Sequence, residues 1–167
     1  MSKKTPILHA DDIQQKIIRM AYQILEDNYT EKELVIVGIR DNGLVLAHHL
    51  QRAITDIQTM HITMLSLVID KINPLQRTIS LSEEYDLSGK VVLLTDDVAN
   101  TGKTMFYALQ PILRYTPKKV QAVVLVDRQH KLFPVTPDYV GLSLSTTLQE
   151  HIEVKFDKKG KGTAYLR

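Results

Sequence analysis

The sequence predicts an α/β fold, a central, mostly parallel twisted sheet with helices on both faces, and three observations carry that expectation. Short β-branched runs recur at Leu34–Arg40, Ile62–Ile69, Val91–Leu94 and Val120–Val126. They lack polar alternation, the habit of strands buried on both faces of a parallel sheet. Segments with helical spacing lie between them, and such alternation implies crossover connections.

Each element follows in order. Asp11 or Asp12 is expected to cap a first helix, in which Ile13, Ile17, Met20, Ala21, Ile24 and Leu25 recur on one face. Asn28-Tyr29-Thr30 closes it ahead of the strand at Leu34. Asn42-Gly43 turns the chain into a second helix carrying Leu44, Leu46, Ala47, Leu50 and Ile54. The strand from Ile62 gives way to a polar stretch, Asp70 to Arg77, and Leu81 to Tyr85 reads as a further short strand. Ser88-Gly89 turns into the strand at Val91, a helix is expected from about Gly102 to Tyr115, and the strand at Val120 follows. Beyond Asp127 the pattern loosens around Pro134 and Pro137, and the basic tail Lys155 to Lys161 takes no firm structure. No repeat or linker divides residues 1–167, so one domain is expected.

Composition excludes several functions. The chain has no cysteine, which removes disulfides, thiolate metal sites and a Cys nucleophile. A net charge of +2 from 21 basic and 19 acidic residues is too mild to argue for nucleic-acid binding. Met1-Ser2-Lys3-Lys4 is basic, but no apolar segment of signal-peptide length follows, so a soluble cytoplasmic protein is expected. His9, His48 and His49 have no carboxylate at ligand spacing, and Met60 and Met64 suit a core.

The informative segment is Val91-Val92-Leu93-Leu94-Thr95-Asp96-Asp97-Val98-Ala99-Asn100-Thr101-Gly102-Lys103-Thr104. Here a buried strand runs into two acids, and a hydroxyl-glycine turn opens a helix. The carboxyl ends of strands form the ligand crevice of an open α/β sheet. Paired acids there face a desolvation cost unless something engages them, and vicinal sugar hydroxyls donate well to carboxylate oxygens. The Thr-Gly-Lys-Thr turn offers hydroxyls and amide N–H groups where a phosphate binds readily. The competing reading is plain capping, which needs neither the paired acids nor the turn. A Walker A loop is excluded, because the position that must be its first glycine is Asp97.

This segment resembles the phosphoribosyl-pyrophosphate signature of type I phosphoribosyltransferases. The resemblance implies that fold, with a small C-terminal hood segment. It implies that Asp96 and Asp97 hold the ribose hydroxyls and that Val98, Ala99, Asn100, Thr101, Gly102, Lys103 and Thr104 wrap the sugar phosphate. Val37 to Gly43 is similar to the family's pyrophosphate loop, placing Gly38, Ile39 and Arg40 against the leaving group. Val124 to His130, Asp138 to Gly141 and Thr146 to Glu150 resemble the PyrR group, pyrimidine-operon attenuators with uracil phosphoribosyltransferase activity. Asp127 and Arg128 would then border the pyrophosphate and base pocket, with a surface ion pair as the competing reading. Asp70 to Arg77 sits where these enzymes carry a lid, so Lys71 and Arg77 are candidates to neutralise charge on closure, and Arg77 joins Asp96 and Asp97 as a catalytic candidate.

Two positions depart from the pattern. Asn100 stands where 6-oxopurine enzymes of the family carry an aspartate, and an amide is no general base. Asp41-Asn42 replaces a basic residue, and Asp41 is expected to point away from a polyanion. The implied reaction moves 5-phosphoribosyl from 5-phosphoribosyl-1-pyrophosphate to a nucleobase, uracil favoured. It uses Mg²⁺ held through substrate near Asp96 and Asp97 rather than by direct protein ligands. The alternative is an RNA-binding regulator that uses the site as a nucleotide sensor, with weak or no catalysis. Its basic surface would come from Arg19, Lys118, Lys119, Arg128 and Lys131 brought together by dimerisation, and the resemblance implies a homodimer or higher homo-oligomer.

Overall fold

Side chains that point alternately to opposite sides of one central strand set the layers of this protein. The computed structural model describes residues 4–167; Met1, Ser2 and Lys3 of the basic N-terminus lie outside them. In chain order the elements are β1 (Thr5–Leu8), α1 (Ala10–Asp27), β2 (Glu33–Ile39), α2 (Asn42–Ile57), β3 (His61–Val68), β4 (Ser80–Leu81), β5 (Val91–Ala99), α3 (Lys103–Ile112), β6 (Lys119–Arg128), β7 (Tyr139–Leu144), β8 (Ile152–Phe156) and β9 (Gly162–Leu166). The main sheet has six strands in the order β4-β3-β2-β5-β6-β7. All its pairs are parallel except the short antiparallel β3–β4 edge.

On β5, Val91 and Leu93 pack with the apolar faces of α1 and α2, which bury Ile17, Met20, Ile24, Leu46 and Leu50. Val92 and Leu94 point the other way, onto Met105, Ala108 and Ile112 of α3. The sheet is therefore covered on both faces, which the unalternating strands predicted.

Several boundaries differ from the sequence reading. The first helix begins after His9, whose backbone N–H donates to the Asp12 carboxylate at 2.8 Å. Asp12 thus lies inside the first turn and reaches back to the cap, instead of being the cap. β5 continues past Leu94 to Ala99, because its parallel pairing with β6 persists to Ala99↔Asp127 while the polar side chains find partners. α3 ends at Ile112 rather than Tyr115, one residue after Pro111, whose ring removes a helical donor. Of Leu81 to Tyr85 only Leu81 pairs, together with Ser80, against Val68 and Leu67.

The irregular segment after Asp127 contains β7. Asp138 starts it by donating its N–H to Ala122 O at 2.9 Å and accepting the Ala122 N–H on its carboxylate at 2.8 Å. Lys155 to Lys161 is ordered as well. It holds the end of β8 and a turn in which the Asp157 carboxylate accepts the N–H groups of Lys159 at 2.8 Å and Lys161 at 2.9 Å. The hood is a three-stranded antiparallel sheet, β1-β9-β8, so the N-terminal strand contributes to it alongside the C-terminal pair. No helix among the described residues is long and apolar enough to cross a membrane.

Candidate active site

The carboxyl end of β5 carries Asp96 and Asp97, which follow Thr95, into a hollow of about 520 Å³. Thr95 is fully buried and donates its hydroxyl to Gly43 O at 2.8 Å. The contact is close, since a side chain at Gly43 would place its Cβ 2.6 Å from Thr95 O. Glycine there lets the start of α2 press onto the strand beside the acids.

Asp96 is 2% exposed. Its two oxygens accept from Lys71 Nζ at 3.0 and 3.1 Å, and one also accepts the Asp97 N–H at 2.9 Å. Burial, reinforced by the neighbouring Asp97 carboxylate, pushes the Asp96 carboxyl up to about 7, against the opposing pull of Lys71. Asp97 accepts from Asn42 Nδ2 at 2.8 Å and from the Val98 N–H at 2.9 Å, with Lys71 Nζ 3.9 Å away. Lys71 is aimed by its own loop. The Asp70 carboxylate accepts the N–H groups of Ile72 at 2.9 Å and Asn73 at 2.8 Å, and those bonds hold its pKa below the ordinary value.

Past Ala99 the chain turns toward α3. Gly102 sits at φ 85°, a left-handed conformation that side chains resist. The loop after β6 braces this turn from behind: Leu132 and Phe133 donate N–H groups to Thr101 O at 2.9 and 3.0 Å, and Lys131 Nζ donates to Asn100 O at 3.0 Å. The first N–H groups of α3 have no helical partners, the arrangement that suits an anion, and that of Lys103 donates to Thr101 Oγ1 at 3.3 Å. Lys103 Nζ donates to Ile72 O at 3.2 Å, joining the turn to the 70–77 loop.

Most of the candidates converge. Asp96, Asp97, Val98, Ala99, Asn100, Thr101, Gly102, Lys103 and Thr104 all line the hollow, together with Lys71. Gly38 and Ile39 are buried in β2, and Arg40 is exposed just beyond it, donating its backbone N–H to Leu67 O at 3.0 Å. Asp41 is exposed and off the lining. Arg77 is exposed on the 70–77 loop and does not line the hollow either.

Asp127 and Arg128 are buried but engaged elsewhere. Asp127 pairs with Lys131, and Arg128 donates to Thr146 Oγ1 and Thr147 O. Sequence reasoning missed Asn42 and the hood residues Ile152, Glu153 and Val154 as lining groups. Nothing in a short charged strand announces which cavity it covers, and Asn42 read as a turn residue within the pyrophosphate-loop resemblance, with no role of its own.

Comparisons with known proteins agree with this geometry. Residues 5–159 match the family model described as the phosphoribosyl transferase domain. The bifunctional protein PyrR of Pelotomaculum thermopropionicum is 36% identical over 164 residues, covering 93% of this chain and 91% of that protein. The protein of the same name from Chloroflexus aurantiacus is 34% identical, covering 93% and 90%. Among solved structures, the hypoxanthine phosphoribosyltransferase of Trypanosoma cruzi superposes with a TM-score of 0.78 over 98% of this chain and 96% of that one, at 18% identity. At that identity the likeness concerns the fold alone.

Proposed function

Since the chain belongs to the phosphoribosyltransferase family, in its PyrR-like group, we propose that it transfers 5-phosphoribosyl from 5-phosphoribosyl-1-pyrophosphate to uracil. One observation carries the reading: a buried acidic pair and a left-handed glycine turn share one hollow at the end of β5. Sugar hydroxyls donate to Asp96 and Asp97, and the sugar phosphate takes the N–H groups at the start of α3.

In the reaction the bond from ribose carbon 1 to pyrophosphate oxygen breaks and a bond to a base nitrogen forms. The nitrogen's proton leaves to solvent. Positive charge develops on the sugar ring, so the protein's work is positioning, charge balance and exclusion of water. Two carboxylates are too few to cage Mg²⁺, but they suit an ion shared with substrate and reached through hydroxyls or waters. Held there by substrate beside Asp96 and Asp97, Mg²⁺ would supply positive charge to the departing pyrophosphate. Lys71 supplies a positive charge at the acids before substrate arrives, and Arg77 and Arg40 meet pyrophosphate only if their exposed side chains swing inward. Uracil is favoured over 6-oxopurines because Asn100, exposed at the rim, offers no base to take a purine proton.

Pyrophosphate release should be measured with uracil, hypoxanthine, guanine, xanthine and orotate in the presence of Mg²⁺. Turnover with uracil alone is expected, and purine turnover or none at all rejects the reading. The relatives' designation as bifunctional supports a second role, RNA binding with this site as nucleotide sensor. The five basic residues expected to serve it are tied internally. Arg19 donates to Val140 O and Gly141 O, Lys118 pairs with Glu31, Lys119 donates to Asp27 O, and Arg128 and Lys131 are bonded as above. An RNA mobility shift with and without uridine monophosphate tests this role, and light scattering tests the expected homodimer.

A further inference from the structure

Asn42, the first residue of α2, spends both N–H groups of its amide across the hollow: one donates to Asp97 Oδ2 at 2.8 Å, the other to Val154 O at 2.9 Å. Among the described residues it is the one side chain whose hydrogen bonds join the acidic pair to the hood. Its backbone is held close to β5, because the adjoining Gly43 lies against Thr95 O and Asp96 Cα with no room for a Cβ and accepts the Thr95 hydroxyl at 2.8 Å. The main-chain oxygen of Val154 only accepts, which requires the amide nitrogen, not its oxygen, to face both partners.

We infer that Asn42 is a positioning residue for phosphoribosyl transfer, acting through Asp97 and setting the hood strand β8 over the site with the same amide. This rests on the reading above. One side chain thereby couples the grip on the sugar to the placement of the cover over the base. The Asp97 carboxylate receives one donor from its own Val98 N–H and one from Asn42, leaving its remaining lone pairs turned to the sugar.

The test uses Asn42→Ala and Asn42→Asp in the full chain. The second variant preserves shape but loses both donors and sets a carboxylate against Asp97. Calorimetric titration with magnesium phosphoribosyl-pyrophosphate is expected to show affinity falling about tenfold in Asn42→Ala, the size of one lost bond to a charged group, and further in Asn42→Asp. KM for this substrate should rise by a similar factor while kcat changes less. Amide hydrogen exchange over residues 152–156 should accelerate in both variants. Faster exchange with unchanged affinity would reduce Asn42 to a structural tie and overturn the inference, as would two variants indistinguishable from the parent. If the unsubstituted protein itself fails to bind phosphoribosyl-pyrophosphate, the function proposed above fails, and the inference falls with it.

Discussion

Lys71 grips both oxygens of Asp96 from a loop 25 residues earlier in the chain. An exposed, mobile type of side chain therefore answers one of the most deeply buried acids in the protein. On the function proposed above, sugar hydroxyls would share these carboxylate oxygens with the ammonium.

Replacing Asp96 and Asp97 together by Asn removes the negative charge from both acceptors proposed for the sugar hydroxyls. Affinity for phosphoribosyl-pyrophosphate is expected to fall by roughly a hundredfold or more, two charge-assisted bonds being lost. Cooperative thermal unfolding should persist. Titration calorimetry beside a melting curve checks both, and undiminished affinity counts against the assignment.

Acidity supplies a second expectation. Asp96 titrates near 3.8 when unfolded and at about 7 in the folded protein. Between those values the unfolded chain has released a proton that the folded one retains, so rising pH favours unfolding. The stabilisation is complete below the lower value and gone above the upper one. Urea midpoints of the native protein should decline across this window relative to Asp96→Asn, and parallel pH curves would contradict the burial argument. Ligand affinity should strengthen as pH rises through about 7, where the folded carboxyl ionises and becomes the stronger acceptor.

Lys71→Ala takes away the one group that pulls the Asp96 titration down. The midpoint of the affinity–pH curve is expected to move upward, with weaker binding at neutral pH. A midpoint that stays in place would show that Lys71 is not the controlling cation.

Gly102→Ala forces a side chain into the left-handed region, at a cost of about 1–2 kcal/mol. Its Cβ also comes within 3.2 Å of Phe133 O. Lower thermal stability and a raised KM for phosphoribosyl-pyrophosphate are expected together. A stable variant with an unaltered KM would dissociate the turn from phosphate binding.

The frame of this protein was readable from its residues wherever apolar spacing is strong. Ile13 to Leu25 and Val91 to Leu94 landed in the expected elements because burial on one or two faces leaves a periodic trace. The acids and the glycine turn were readable from chemistry, since nothing else asks for those residue types together. β7 and the hood were not. Their strands are short, alternate weakly and depend on partners far away, as Thr5 does on Leu166. The reach of Asn42 to Val154, 112 residues distant, leaves no local mark at all.

Mounting Asp96 and Asp97 on β5 has a mechanical meaning. That strand is hydrogen-bonded to a parallel neighbour along each edge and clad in apolar side chains above and below. The seat proposed for the sugar is thus an anvil. Whatever gives way during a catalytic cycle must belong to the surrounding furniture, the 70–77 loop and the hood.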